Sequence, residues 1–262
     1  MTTVRRTISA RGRKINLYLS DLHKPLDKPE EIERTDRKVQ EEIKKRESLK
    51  KQREEEANKL LARLNRRRCN AGGKDRRTRN LNAQKFEKIC LDIIKLTLKN
   101  EFHNITIKRH PKPIRVKGYK SKVRDISLLN NPKNYENQSN IWNLIRRWYG
   151  SKIIVFDCKN YSTKIKNKEI YQLYEYLDRG EETASGKRLG SGEIGRLGII
   201  LSRNGRYDAS AATALKRIKD DGYKVWILTD KDLTSMLNMY ISKGSAERVF
   251  RERFTTSSGD TP

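Results

Sequence analysis

The stretch Lys152-Ile-Ile-Val-Phe-Asp-Cys-Lys159 decides the fold. Ile153 to Phe156 form an unbroken apolar run of β-branched and aromatic residues, with no polar residue to face water on either side. Such a run reads as a strand buried on both faces, the central strand of a sheet covered above and below. The charges begin where this strand emerges. Side chains alternate along a strand with period two, so Asp157 and Lys159 are expected on one face.

Working outward, Phe86, Ile89, Cys90, Ile93, Ile94, Leu96 and Leu98 recur at helical spacing from Asn82 to near Asn100. They predict an amphipathic first core helix. Ile105 to Lys108 and Val123 to Leu129 alternate as strands, and residues 130–150 add an Asn-rich loop and a short helix at Ile141 to Tyr149. Beyond the central strand come a helix over Lys168 to Leu177, a strand over Leu197 to Ser202, a helix over Ala209 to Asp220 capped by Asp208, and a strand over Lys224 to Leu228. Strands alternating with helices predict an α/β fold with a mixed central sheet flanked by helices on both faces.

The rest of the chain is unlike this core. Of 262 residues, 35% are charged and 34% hydrophobic, and the net charge is +27. Through Asn80 there are 25 Lys/Arg against 13 Asp/Glu, a net of +12, which leaves +15 for the remainder. Residues 1–29 read as a basic flexible arm. From Glu30 to Arg68 there is no Pro or Gly, which predicts a long charged helix. Its apolar residues, Val39, Ile43, Leu49, Ala57, Leu60, Leu61 and Leu64, hold no strict heptad. A solvated helix is expected, with Leu60, Leu61 and Leu64 available for docking on a protein partner. Arg66, Arg67 and Arg68 open a basic hinge that runs through Gly72-Gly73 to Arg79. The expected domains are therefore the arm at 1–29, helix and hinge at 30–81, a folded α/β domain at 82–242, and a helix end with disordered tail at 243–262.

At +27 a polyanion is the first partner to consider, because each neutralised phosphate releases counterions. Nucleic acid comes first and an anionic membrane second. No run of eighteen apolar residues exists, and Cys69, Cys90 and Cys158 are odd in number without paired spacing. A cytoplasmic protein with reduced thiols is expected, with no membrane span.

A carboxylate and an ammonium two residues apart at a strand end suit phosphodiester cleavage. The carboxylate holds a hard divalent cation, and the lysine orients water or steadies charge on the phosphate. Asp125, on the preceding strand, can supply a second carboxylate. In this order of elements the chain resembles the PD-(D/E)xK nuclease superfamily, with its restriction-endonuclease-like fold. Gln172-Leu-Tyr-Glu-Tyr176 resembles the Q-x-x-x-Y motif of the RecB-like branch, and Glu87 corresponds to the helical glutamate that many members use as an additional metal ligand. The resemblance covers roughly residues 82–242. It implies Asp125, Asp157, Lys159, Glu87, Gln172 and Tyr176 as catalytic residues, and a metal site of Asp125, Asp157, Cys158 and Glu87 for Mg²⁺ or Mn²⁺. It departs from the family pattern at Arg124, which stands where a proline precedes the first aspartate, and in the long Asp125 to Asp157 interval. A role in prokaryotic defence or DNA processing follows from it by analogy.

DNA is the expected substrate, and a metal-dependent endonuclease the expected activity. RNA remains an alternative, as does a catalytically inactive module that only binds nucleic acid or a partner. Arg146 and Arg147, flanked by Trp142, Trp148 and Tyr149, are candidate nucleic-acid contacts, as are Lys187, Arg188 and Arg66 to Arg68. Gly190 to Gly195 matches G-x-G-x-x-G in letters but precedes a strand, which removes the dinucleotide reading. His23, His103 and His110 lack zinc-site spacing.

Overall fold

The computed structural model describes residues 7–10, 13–16, 29–66, 76–102, 107–109, 125–133, 137, 139–161, 163–179, 181–182, 188–189 and 194–257. The chain divides into two compact units, Met1–Gln52 and Arg53–Pro262. In the first, β1 (Thr7–Ala10) pairs antiparallel with β2 (Arg13–Asn16). Helix α1 (Pro29–Arg66) begins in this unit, and Val39, Ile43 and Leu49 on it are exposed. That part is the solvated charged helix its composition predicts.

The second unit is built on a five-stranded sheet. Its strands are β3 (Ile107–Arg109), β4 (Ile126–Leu129), β5 (Ile153–Lys159), β8 (Leu197–Ser202) and β9 (Lys224–Thr229), in the order β3-β4-β5-β8-β9. β4 runs antiparallel to both its neighbours, β3 and β5, while β5, β8 and β9 run parallel. β5 is therefore central, as its unbroken apolar run requires. A short antiparallel ladder, β6 (Glu181–Glu182) with β7 (Arg188–Leu189), lies apart from this sheet.

Helices cover both faces. On one face α2 (Arg76–Leu98), α3 (Ile141–Tyr149), α6 (Asp230–Ile241) and α7 (Glu247–Ser257) enclose a core that includes Phe86, Ile89, Ile154, Phe156, Leu237 and Phe250. On the other, α4 (Asn167–Arg179) and α5 (Ala209–Asp220) pack Leu173, Leu177, Ala214 and Ile218 against Val155 and Ile200. The alternation along β5 divides it between the layers: Ile154 and Phe156 go to the first core, Val155 to the second. The fold is the mixed sheet flanked by helices that the sequence predicts. Asp208 caps α5, accepting from the Ala211 amide at 2.8 Å. Among the described residues no helix is long and apolar enough to cross a membrane.

The expected start of the folded domain at Asn82 is too late. Ala57, Leu60 and Leu64 are buried in the first core, and Leu61 packs against it. Arg203 at the end of β8 donates from Nη2 to the Leu64 carbonyl at 2.9 Å and pairs with Asp230 at 3.1 Å. α2 starts at Arg76, so it takes in residues assigned above to the basic hinge; residues 67–75 lie outside the described residues. The C-terminal boundary is too early as well, because α7 buries Val249 and Phe250, and Phe250 packs on Trp142 with ring centroids 4.7 Å apart. In both places the apolar residues are few, and partners distant in sequence decide their burial.

Candidate active site

The antiparallel register of β4 and β5 pairs Ile126 with Phe156. One step further along this ladder Asp125 comes level with Asp157, on the face that carries Ser127 and Val155. Lys159 lies two residues beyond Asp157 and shares its face. The strand has to place these groups together because its alternate positions, Ile154 and Phe156, are committed to the opposite core.

The surrounding side chains form a cavity of about 370 Å³, lined by Glu87 from α2, Asp125, Asp157 and Lys159 from the sheet, and Gln172 and Tyr176 from α4. Six residues spread over 90 positions of sequence thus meet at one place. Gln172 and Tyr176 are four apart, on the helix face turned to the sheet, with Leu173 between them packed in the second core. α4 lies close to the sheet because Gly198 on β8 has no side chain; a Cβ there would come within 2.8 Å of the Leu173 side chain.

The electrostatics are those of crowded acids beside one cation. Lys159 Nζ lies 2.8 Å from Asp157 Oδ2, and both side chains are largely buried. Asp125 Oδ2 accepts a hydrogen bond from the Cys158 amide at 2.6 Å. The Asp125 carboxyl is pushed up to about 8, first by burial and then by the charges of Asp157 and Glu87, which outweigh the Cys158 amide and Lys159. For Lys159, burial pulls the ammonium down, but Asp157 followed by Tyr161 and Asp125 outweigh it, and its pKa stands above the usual range. Lys159 is thus a fixed positive charge at neutral pH. It can donate hydrogen bonds and stabilise an anion, but it has no lone pair to act as a base.

Cys158 is divided by the pleat. Its amide faces the acids, whereas its thiol belongs to the first core beside Cys90, and burial pushes that thiol well above its usual range. Only main-chain atoms of Cys158 are therefore available on the acid side. The sequence also gave no weight to Asn160, which is buried and donates from Nδ2 to the Asn82 carbonyl at 3.2 Å, tying α2 to the end of β5. Tyr161, half-buried two residues past Lys159, has its hydroxyl raised mainly by burial and stays neutral. The two-residue spacing from Lys159 was the signal that could have found it.

Other sequence candidates fall elsewhere. Arg146 and Arg147 lie on α3, which leads into the start of β5, whereas Asp157 and Lys159 lie at its far end, on the order of 15 Å along the strand. Trp142 is core, between Phe102 and Phe250, while Trp148 is exposed. Arg66 ends α1 and is exposed. Arg67, Arg68, Lys187, the side chain of Arg188 and all three histidines lie outside the described residues.

No protein-family model matches the chain, and no curated protein matches it. Among solved structures a likeness is found to the restriction endonuclease FokI bound to DNA, with a TM-score of 0.38 and 10% identity. It covers 77% of this chain and 32% of that one, so the chain spans about a third of the endonuclease's length. A likeness this distant carries no weight in the reading of the site, which rests on its own residues.

A divalent cation suits the donor set. The two carboxylates of Asp125 and Asp157 come level across the ladder, and like charges directly opposite are unfavourable unless neutralised. Among the described residues no three His, Cys, Asp or Glu side chains converge into a ready-made cage. Mg²⁺ does not require one, since it usually binds through one or two carboxylates and keeps several waters.

Proposed function

We propose that the protein is a metal-dependent nuclease that hydrolyses phosphodiester bonds in DNA, with Mg²⁺ or Mn²⁺ held by Asp125 and Asp157. The observation that carries this reading is the β4/β5 register, which brings Asp125 level with Asp157 and leaves Lys159 on the same face of a polar cavity. Glu87 borders the same cavity and adds a third carboxylate within reach of Asp125's field. When bound, the cation supplies Lewis acidity toward a phosphate oxygen and lowers the pKa of water.

The chain's own residues do the rest. Lys159, fixed as a cation, holds negative charge that grows on the phosphate, and Asp157 fixes its position at 2.8 Å. The Cys158 amide orients Asp125. Gln172 and Tyr176 present an amide and a hydroxyl from α4 across the cavity, placed to position a phosphate or water. The +27 charge favours a polyanionic substrate, which suits this chemistry better than a small phosphoester does.

The test is incubation of purified protein with plasmid, linear and single-stranded DNA and with RNA, each with Mg²⁺, Mn²⁺ or EDTA. Metal-dependent cleavage of DNA is expected, abolished by Asp157→Ala with the fold intact, because Ile153 to Phe156 stay packed. Undiminished turnover in that variant would place the chemistry elsewhere. Cleavage confined to RNA would change the substrate and leave the chemistry standing.

A further inference from the structure

The exposed flank of α2 has no part in the reaction just described, yet it leads directly to it. We propose that Arg77, Asn80, Leu81 and Gln84 form a track for the backbone of a DNA strand on its way to the pocket. The identity of that pocket rests on the nuclease reading; the track stands on separate observations.

These four residues line a second concavity, of about 500 Å³. They are three or four apart, so they follow one side of the helix, and one turn further along the same side is Glu87, which lines the catalytic cavity. The other side of α2 is spent on the core through Phe86, Ile89, Cys90 and Ile93. Residues 77–81 are exposed, and Leu81 retains 46% of its surface. The helix is held in place relative to the reacting groups, because the Asn82 carbonyl accepts from Asn160, the neighbour of Lys159.

Charge identifies the occupant. Helix starts favour acids, yet the first turn of α2 contains none, and its opening residues include Arg76, Arg77 and Arg79. Arg77 and Arg79, both exposed, work against the helix dipole, so helix stability does not account for them, and an anion alongside the helix does. The flank offers a planar fork for phosphate at Arg77, amides for phosphate or base edges at Asn80 and Gln84, and an apolar surface for sugar or base at Leu81. The ten residues from Arg77 to Glu87 span about 15 Å, or about four phosphates at the rise of B-form DNA. A contact that far away acts on binding and leaves the chemical step alone.

The experiment uses the full chain with Arg77→Glu and Arg77→Lys, each checked by circular dichroism. Binding to a fluorescent DNA oligonucleotide is titrated in EDTA across a salt series, and cleavage with Mg²⁺ is followed in parallel. Arg77→Glu is expected to raise Kd by about 5- to 10-fold near 0.1 M salt and to flatten the salt slope by about one to two. Arg77→Lys, which keeps the charge and loses the fork, should hold the wild-type salt slope with a smaller loss of affinity than Arg77→Glu. In Arg77→Glu KM should rise with kcat unchanged. A wild-type Kd and slope in Arg77→Glu overturn the track, as does a loss of kcat at unchanged Kd. If the wild-type protein cleaves nothing with any metal, the nuclease reading fails, and the EDTA series still decides the track by itself.

Discussion

Asp125 has its ionised form disfavoured by burial, by Asp157 across the ladder and by Glu87, so in the folded chain it holds its proton up to about pH 8. Unfolded, an aspartate loses that proton near pH 4. The folded state therefore binds more protons between those limits, and its stability must fall as pH rises through the window. The metal-free protein is expected to lose up to about 1.4 kcal/mol per pH unit there, read from denaturation midpoints between pH 5 and 8. Asp125→Asn, which keeps an oxygen acceptor for the Cys158 amide, should flatten that profile and raise stability at pH 8. Mg²⁺ should stabilise the wild type increasingly toward pH 8 and the variant hardly at all. A profile with the same slope in both proteins would refute the assignment. Lys159→Ala at the same site should slow cleavage strongly while leaving metal affinity, followed by calorimetry, largely unchanged, since an ammonium is not a ligand.

At the scale of elements, β5 was legible in the sequence because one run of residues carries both signals, an apolar stretch that must be central and a charged end that must emerge. The same holds for α3, β8, α5 and β9, whose bounds follow local periodicity closely. The C-terminal part of α1 was not legible. Ala57, Leu60 and Leu64 stand among charges with no sustained pattern, and their burial depends on contacts such as Arg203 reaching back to the Leu64 carbonyl. At the site, the Asp157 and Lys159 pairing followed from period two. The fate of the Cys158 thiol and the tie between Asn160 and Asn82 depend on how α2 lies on the sheet, which no local pattern encodes. Gly198 shows how an element positions chemistry. Gly198→Ala would force Leu173 and α4 outward, at about 1–3 kcal/mol, and carry Gln172 and Tyr176 with them. Reduced thermal stability with a larger fall in kcat is expected; unchanged values for both would show that α4 does not position the site.

For the whole molecule, the unit boundary at Gln52 defines where the chain can be shortened. Removing residues 1–52 should leave the second unit folded and, on the proposed function, reduce its salt-dependent affinity for DNA, because much of the N-terminal charge goes with it. Removing residues 1–79 deletes Ala57, Leu60 and Leu64 from the core and should unfold the unit, since each buried leucine contributes about 2 kcal/mol or more. Circular dichroism and thermal melts of the two truncated proteins distinguish the cases. If the longer deletion melts like the full chain, the α1 residues are dispensable.

The boundary at Gln52 also falls inside a continuous helix, and this has a consequence for motion along α1. Its first two-thirds expose Val39, Ile43 and Leu49 and must rely on intrahelical hydrogen bonds, which open readily in a solvated segment. Its last three turns are locked under a core. Amide deuterium uptake should therefore be fast up to about Arg53 and abruptly slow from Ala57 to Leu64, a step in exchange rate along one helix with no break in its backbone.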